Sequence, residues 1–175
     1  MQRLPSFVII GAMKSATSTL YEQMRLQPGI FLPELKEPNF FSDDAQFQRG
    51  MAWYCSLFAE AKASDILGEA STHYAKLPTY PQTISRMREH LPVPRLIYVM
   101  RHPIDRLVSQ YIHQWSEGEI SGTISDAVDA HPELLAYSRY AFQLAPYFEA
   151  FGRSAVLPVF FDHVLDNGAA ELGAL

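Results

Sequence analysis

One lysine and four hydroxyl side chains cluster directly after an apolar run near the start of the chain. The apolar run is Phe7–Ile10, and residues 14–19 read Lys-Ser-Ala-Thr-Ser-Thr. An ammonium group and hydroxyl donors at a helix start suit phosphate oxygens, because the free N–H groups and the helix dipole also attract an anion. The pattern therefore predicts a phosphate-binding turn between a buried strand and a helix.

This turn differs from the Walker loop of magnesium-dependent nucleotide enzymes. A Walker loop places its lysine directly before the Ser or Thr that holds Mg²⁺, after a long glycine-rich loop. Here Lys14 follows Gly11 by only three residues. An ordinary strand–helix turn with a Ser or Thr N-cap is the simpler alternative. The cluster has more polar side chains than one cap needs, which favours the phosphate interpretation.

A second candidate anion site follows another apolar run, residues 95–100. Arg101 comes directly after this run, and Ser109 follows eight residues later on a predicted helix that begins near Pro103. A guanidinium fork binds phosphate oxygens with two hydrogen bonds, and the hydroxyl adds a further donor. The alternative is a structural ion pair between Arg101 and Asp105 or Glu69. Two anion sites together indicate a ligand with two separated phosphate groups.

The elements between these sites alternate between strands and helices. Apolar runs predict strands at 7–10, 30–32, 65–69, 95–100 and 155–161, and helical spacing predicts helices at 79–91, 106–115, 137–151 and 162–175. This alternation predicts an α/β fold, a P-loop-like three-layer α/β/α arrangement around a mostly parallel sheet. Ligands of such sheets bind at the carboxyl ends of the strands, where Lys14 and Arg101 lie.

The composition limits the classes of function. At 175 residues, with 48% hydrophobic residues, the chain is expected to form a single domain over 1–175. The net charge of −5 argues against a nucleic-acid partner. Cys55 is the only cysteine, which excludes a disulfide framework within the chain. No signal peptide or membrane span is expected, which predicts a cytoplasmic location, and the composition leaves the oligomeric state open.

The motifs together resemble those of sulfotransferases that use 3′-phosphoadenosine 5′-phosphosulfate (PAPS). Residues 14–19 look like the 5′-phosphosulfate loop, and residues 98–111 resemble the 3′-phosphate motif. Residues 36–41, Lys-Glu-Pro-Asn-Phe-Phe, and residues 68–71 are similar to segments of the branch with a glutamate base. That branch includes heparan sulfate enzymes and many bacterial carbohydrate-type enzymes. The similarity runs from about residue 7 to residue 161.

The resemblance implies a role for each matching residue. The sulfuryl group would move from PAPS to an acceptor hydroxyl or amine of a carbohydrate or small molecule, without a metal ion, leaving 3′-phosphoadenosine 5′-phosphate (PAP). Arg101 and Ser109 would bind the 3′-phosphate, Glu37 would be the general base, and Lys14 would also neutralise charge on the leaving phosphate. The 5′-phosphosulfate would lie against Lys14, Ser15, Ala16, Thr17, Ser18 and Thr19.

Three departures from the family pattern add expectations. Ala16 stands where the family often has Gly, and alanine suits the turn only if its φ is negative. Ala70 replaces a lysine of the polysaccharide enzymes, which with the net charge argues against a heavily sulfated acceptor. The chain is also expected to be C-terminally truncated, without the segment that closes over the cofactor.

Two other classes of function remain open at the level of sequence. One is a P-loop kinase, which would need Mg²⁺ and would tolerate loss of Arg101. The other is an inactive remnant that binds PAP or PAPS and transfers nothing.

Overall fold

A parallel five-stranded β-sheet forms the centre of the computed structural model, which describes residues 3–172. Its strands lie in the order β2-β3-β1-β4-β5, and every neighbouring pair is parallel. The bounds are β1 Phe7–Gly11, β2 Ile30–Phe31, β3 Ile66–Ala70, β4 Arg95–Met100 and β5 Val156–Phe160. The predicted parallel α/β sheet is confirmed, and Pro158 lies on an edge strand, where a missing N–H donor is tolerated.

Helices cover both faces of the sheet. Side chains of β1 alternate between two cores, as the period of a strand requires. The helices are α1 Thr17–Arg25, α2 Asp44–Phe47, α3 Gly50–Ser56, α4 Thr83–His90, α5 Pro103–Ser116, α6 Ile124–Ala130, α7 Glu133–Ala136, α8 Tyr140–Phe151 and α9 Phe161–Leu172. Val8 and Ile10 pack with side chains from α3, α4 and α8, whereas Phe7 and Ile9 pack with side chains from α1 and α9. The arrangement is the expected three-layer α/β/α sandwich.

Some helix bounds differ from the prediction. The helix expected at 79–91 begins at Thr83, because Pro78 and Pro81 lie in turns that precede it. Helices α2 and α3 were not predicted, since four and seven residues are too few to show a helical period. The helix expected at 162–175 corresponds to α9, and residues 173–175 lie outside the described part of the chain.

The strand order places three loops side by side. Strands β3, β1 and β4 are neighbours, so their carboxyl ends meet at one edge of the sheet. The residues that follow them are Ser71, Lys14 and Arg101. Helix α5 continues from Arg101 and is held by Arg106, whose buried guanidinium donates to the Leu134 carbonyl oxygen at 2.8 Å. Parallel topology therefore brings the predicted motifs to one place.

Candidate active site

The turn between β1 and α1 has a strained backbone. Lys14 has a φ of 64°, and Ala16, the N-cap of α1, has a φ of 62° and a ψ of 23°. The condition for an unstrained alanine, a negative φ at Ala16, is not met. A residue with a Cβ atom in this left-handed region costs about 1–2 kcal/mol. Strain of this kind concentrates at functional sites, where the surrounding structure maintains it.

No side chain caps the first turn of α1. Ala16 stands at the N-cap position and makes no side-chain cap hydrogen bond, so the simple-cap alternative is contradicted. Ser18 and Thr19 are exposed at the helix start, while Thr17 is largely buried. Ser15 is fully buried and exposes no surface to a ligand in this structure. The helix therefore presents N–H groups without side-chain partners beside Lys14, as an anion site requires.

Arg101 lies beside this turn. Its Nη1 atom donates to the Lys14 carbonyl oxygen at 3.4 Å, and its guanidinium lies 4.7 Å from the centre of the Phe161 ring. Its own carbonyl oxygen accepts a hydrogen bond from the Tyr140 hydroxyl at 2.7 Å. Among the described residues Arg101 has no ion pair, so the expected alternatives, pairing with Asp105 or with Glu69, are not observed.

The two anion motifs line one cleft of about 370 Å³. Lys14 forms one side; Arg101, directly after β4, and Ser109, on α5, form the other. Asp105 is the one carboxylate in this lining, against two side chains that carry permanent positive charge. We call this space the basic cleft; the rest of its lining is Val108, Ile112 and His113. The structure thus unites three of the predicted site residues.

Glu37 is anchored at the end of the neighbouring strand β3. Its φ is 58°, and its N–H donates to the Ala70 carbonyl oxygen at 2.9 Å. Its Oε2 atom accepts from the Thr72 N–H at 2.7 Å and from the Thr72 hydroxyl at 3.2 Å. Lys36 donates to Oε1 at 2.9 Å. These contacts hold the carboxylate in one orientation at the same sheet edge as Lys14.

A second cleft of about 600 Å³ adjoins the basic cleft. His113 lines both spaces, and Met13, directly before Lys14, lines the second. We call it the acidic cleft, because three carboxylates stand in its lining with a single lysine or arginine, Lys76. Those carboxylates are Glu117, Glu119 and Glu133. None of these residues forms a local motif, so the sequence did not indicate them.

Burial changes the protonation of two groups in the acidic cleft. It lowers the pKa of Lys76 to about 8, while the charges of Glu37 and Glu119 oppose this change. Burial, with the charge of Lys76, also lowers the pKa of His73 to about 4, so this imidazole is neutral at pH 7. The Glu37 carboxylate accepts from Thr72, which directly precedes His73 in the lining, so Glu37 lies near the acidic cleft.

A buried carboxyl group, Glu69, lies behind the loop that carries Glu37. The Tyr54 hydroxyl donates to its Oε1 atom at 3.0 Å, and the Ser71 hydroxyl donates to Oε2 at 3.2 Å. Ser71 in turn accepts from the N–H of Asn39 at 3.0 Å. Burial raises the pKa of Glu69 to about 7, and hydrogen bonds from Tyr74, Tyr54 and Ser71 limit the rise. Glu69, which is fully buried, thus connects the loop of Glu37 to strand β3 through Ser71 and Asn39.

The described part of the chain contains neither a membrane-spanning helix nor a cluster of metal-ligand side chains. No helix there is long and apolar enough to cross a membrane. No group of three or more His, Cys, Asp or Glu side chains in the same part of the chain is arranged to hold a metal ion.

Known proteins with similar sequences and folds are sulfotransferases. Mouse heparan sulfate glucosamine 3-O-sulfotransferase 3B1 is 27% identical over 180 residues, which cover 98% of this chain and 45% of that protein. Human heparan sulfate glucosamine 3-O-sulfotransferase 6 is 34% identical over 116 residues, covering 66% of this chain and 32% of that protein. The chain therefore spans less than half the length of either relative.

The fold comparison and the family comparison agree with these sequence similarities. A crystal structure of a sulfotransferase from Alicyclobacillus acidocaldarius has a TM-score of 0.82 at 27% identity, covering 97% of this chain and 78% of that chain. The family model described as "Sulfotransferase family" matches residues 38–175, which is more than half of the chain. The resemblance seen in the two phosphate motifs is confirmed, and the chain belongs to the sulfotransferase family.

Proposed function

We propose that this protein transfers a sulfuryl group from PAPS to a hydroxyl group of a carbohydrate-type acceptor. The observation that carries the proposal is the meeting of Lys14, Arg101 and Ser109 in one cleft beside the uncapped start of α1. Two cations that form no ion pair among the described residues, together with a hydroxyl donor, suit a nucleotide with phosphate groups at the 3′ and 5′ positions of its ribose.

The proposed donor contacts follow the positions of these groups. The 5′-phosphosulfate lies against Lys14 and the N–H groups that begin α1, with the exposed hydroxyls of Ser18 and Thr19 in reach. Ala16 contributes only its backbone, and Thr17 and Ser15 contribute through the backbone geometry of the turn. Arg101 and Ser109 bind the 3′-phosphate, which plain ATP lacks. No metal ion is assigned a role in binding or in the reaction.

The residues of the chain supply positioning and charge for the reaction. Glu37 accepts the proton of the acceptor hydroxyl as its oxygen forms a bond to sulfur. Lys14 stabilises the negative charge that develops on the phosphate oxygen as the sulfur–oxygen bond to phosphate breaks. The products are a sulfate ester, PAP and a protonated carboxyl group that returns its proton to water. Thr72 keeps Glu37 in a fixed direction throughout.

Other expectations from the sequence stay predictions. These are the single sulfotransferase domain over residues 1–175, the cytoplasmic location, and the absence of nucleic-acid and membrane partners. The P-loop kinase and the inactive PAP-binding remnant are the alternatives that the experiment below separates.

Calorimetric titration with PAP, with ATP as the comparison ligand, tests the proposal. We expect PAP to bind at least tenfold more tightly than ATP without Mg²⁺, and Lys14→Ala and Arg101→Ala each to weaken PAP binding about tenfold to a hundredfold. Lys62→Ala and Arg25→Ala, at exposed sites outside the cleft, are matched controls and should bind PAP normally. Equal affinity for both nucleotides, or phosphate transfer from Mg·ATP, would overturn the proposal. PAP binding without sulfuryl transfer from PAPS would identify the remnant.

A further inference from the structure

The two clefts at the sheet edge carry opposite charge. The lining of the basic cleft has two permanent cations and one carboxylate, whereas that of the acidic cleft has three carboxylates and one ammonium group. With neutral histidines, the formal charge of the acidic lining is −2. The clefts share His113 and adjoin at Met13 and Lys14, so a ligand in one lies next to a ligand in the other. The inference below rests on the proposed function, because it assigns the basic cleft to the donor.

Among the described residues, no lysine or arginine forms an ion pair with a carboxylate of the acidic cleft. Glu119 accepts from the Gln114 amide at 3.1 Å. Glu117 lies 3.6 Å from the His113 imidazole, and Glu133 lies 3.3 Å from the imidazole of His131. Lys76 is the one lysine in the lining of the cleft, and the charges of Glu37 and Glu119 act to raise its pKa. Most of the negative charge is therefore available to a ligand.

Aromatic rings complete the wall of the cleft. Tyr80 stacks on His73 with ring centres 4.6 Å apart, and Tyr137 lies 5.9 Å from the Lys76 ammonium nitrogen. The face of a tyrosine ring attracts an ammonium group, and carboxylates bind it by charge-assisted hydrogen bonds. Repulsion from like charges excludes a polyanion from the same space. Heparan sulfate, the polysaccharide in the names of the two relatives above, is such a polyanion.

We propose that the acidic cleft is the acceptor site and that it selects an amine-bearing carbohydrate over a neutral or an anionic one. The ammonium group of the acceptor lies among Glu117, Glu119 and Glu133, and a neighbouring hydroxyl group points to Glu37 and the basic cleft. The protonated amine has no lone pair, so the hydroxyl oxygen is the nucleophile. It forms the bond to sulfur and gives its proton to Glu37.

Three glucosamine oligomers of equal length, which differ only at nitrogen, test this selectivity. One has free amines, one is N-acetylated and one is N-sulfated, so the backbone is constant while the charge changes from positive through neutral to negative. Each is titrated into the protein loaded with PAP, and sulfuryl transfer from PAPS is measured in parallel. We expect affinity to fall in that order, and the preference for the free amine to shrink at high salt.

Variants locate the preference in the acidic cleft. Glu119→Gln and Glu133→Gln should each weaken binding of the free-amine oligomer about two- to fivefold and leave the N-acetylated oligomer unaffected. The double variant should reduce the preference about tenfold. Glu60→Gln, at an exposed site outside both clefts, is the matched control. All of these variants should bind PAP normally.

The outcomes separate this inference from the proposed function. Normal PAP binding with equal or reversed affinity for the three oligomers would overturn the acceptor assignment alone, as would unchanged selectivity in the double variant. Failure of the unaltered protein to bind PAP would overturn the proposed function instead. The inference would be supported if affinity falls from the free-amine to the N-sulfated oligomer and if this order depends on Glu119 and Glu133, even where sulfuryl transfer is slow.

Discussion

Arg101 donates a hydrogen bond from Nη1 to the backbone carbonyl oxygen of Lys14 at 3.4 Å, although 87 residues separate them in the chain. This contact joins the turn after β1 to the end of β4. It keeps the ammonium group and the guanidinium in one cleft, so the spacing between the two anion sites is set before a ligand arrives. Preorganisation of this kind lowers the entropic cost of binding.

We predict that Arg101→Lys and Ser109→Ala reduce discrimination for the 3′-phosphate. Lysine keeps the charge but lacks the two-pronged donor geometry, so PAP affinity should fall about tenfold. In both variants, affinity for adenosine 5′-phosphosulfate, which has no 3′-phosphate, should stay unchanged. Lys14→Ala, in contrast, should weaken the binding of both nucleotides. Calorimetry measures these values, with Arg139→Lys, at an exposed site, as the control. Equal losses for both nucleotides in Arg101→Lys would contradict the assignment.

The second prediction concerns Glu37→Gln. Glutamine keeps an oxygen that accepts from Thr72 but cannot serve as a base at neutral pH. We expect PAP affinity within about twofold of the original and sulfuryl transfer at least about a hundredfold slower. Glu34→Gln, an exposed change in the same loop, is the control and should leave transfer unchanged. Normal turnover by Glu37→Gln would show that another group takes the proton.

The third prediction concerns the strained turn. Because Ala16 has a φ of 62°, Ala16→Gly should relieve steric strain and raise the free energy of unfolding by about 0.5–1 kcal/mol, after the entropy of the more flexible unfolded chain is counted. Ala127→Gly, in the buried face of α6, should lower it by about 1 kcal/mol. Urea unfolding gives both values. Destabilisation by Ala16→Gly would mean that alanine is not strained there.

The fourth prediction is a dependence of stability on pH through Glu69. Its folded pKa of about 7 lies above the ordinary value of 4.5, so the folded chain holds a proton that the unfolded chain releases first. Stability should therefore decrease as pH rises from about 4.5 to 7, by about 3 kcal/mol in total.

The Glu69→Gln variant should lack this pH-dependent part of the unfolding free energy. Between pH 5 and pH 8 the difference in unfolding free energy between the variant and the original protein should shift in favour of the variant. Urea unfolding at the two pH values measures the shift, and other titrating groups cancel in the comparison. A difference that does not change with pH would argue that Glu69 ionises in the folded protein as it does in water.

Local sequence was sufficient to predict the strands and turns that form the basic cleft. A strand followed by a polar turn, and an arginine directly after another strand, are short-range patterns whose meaning depends on neighbouring residues only. The parallel sheet followed from the alternation of elements, and its strand order then brought Lys14 and Arg101 to one edge. Helices α2 and α3 escaped prediction, because four and seven residues are too few to show a helical period.

The family motifs, the fold class and the candidate donor residues could all be predicted from local sequence patterns. The left-handed backbone of Ala16, the burial of Ser15 and the acidic cleft beside the basic one became visible only in the folded chain. Cleft charge is a sum over side chains from several segments, and no local pattern contains that sum. Lys76, Glu119 and Glu133 come from three separate segments and line one cleft only after α7 packs against α5.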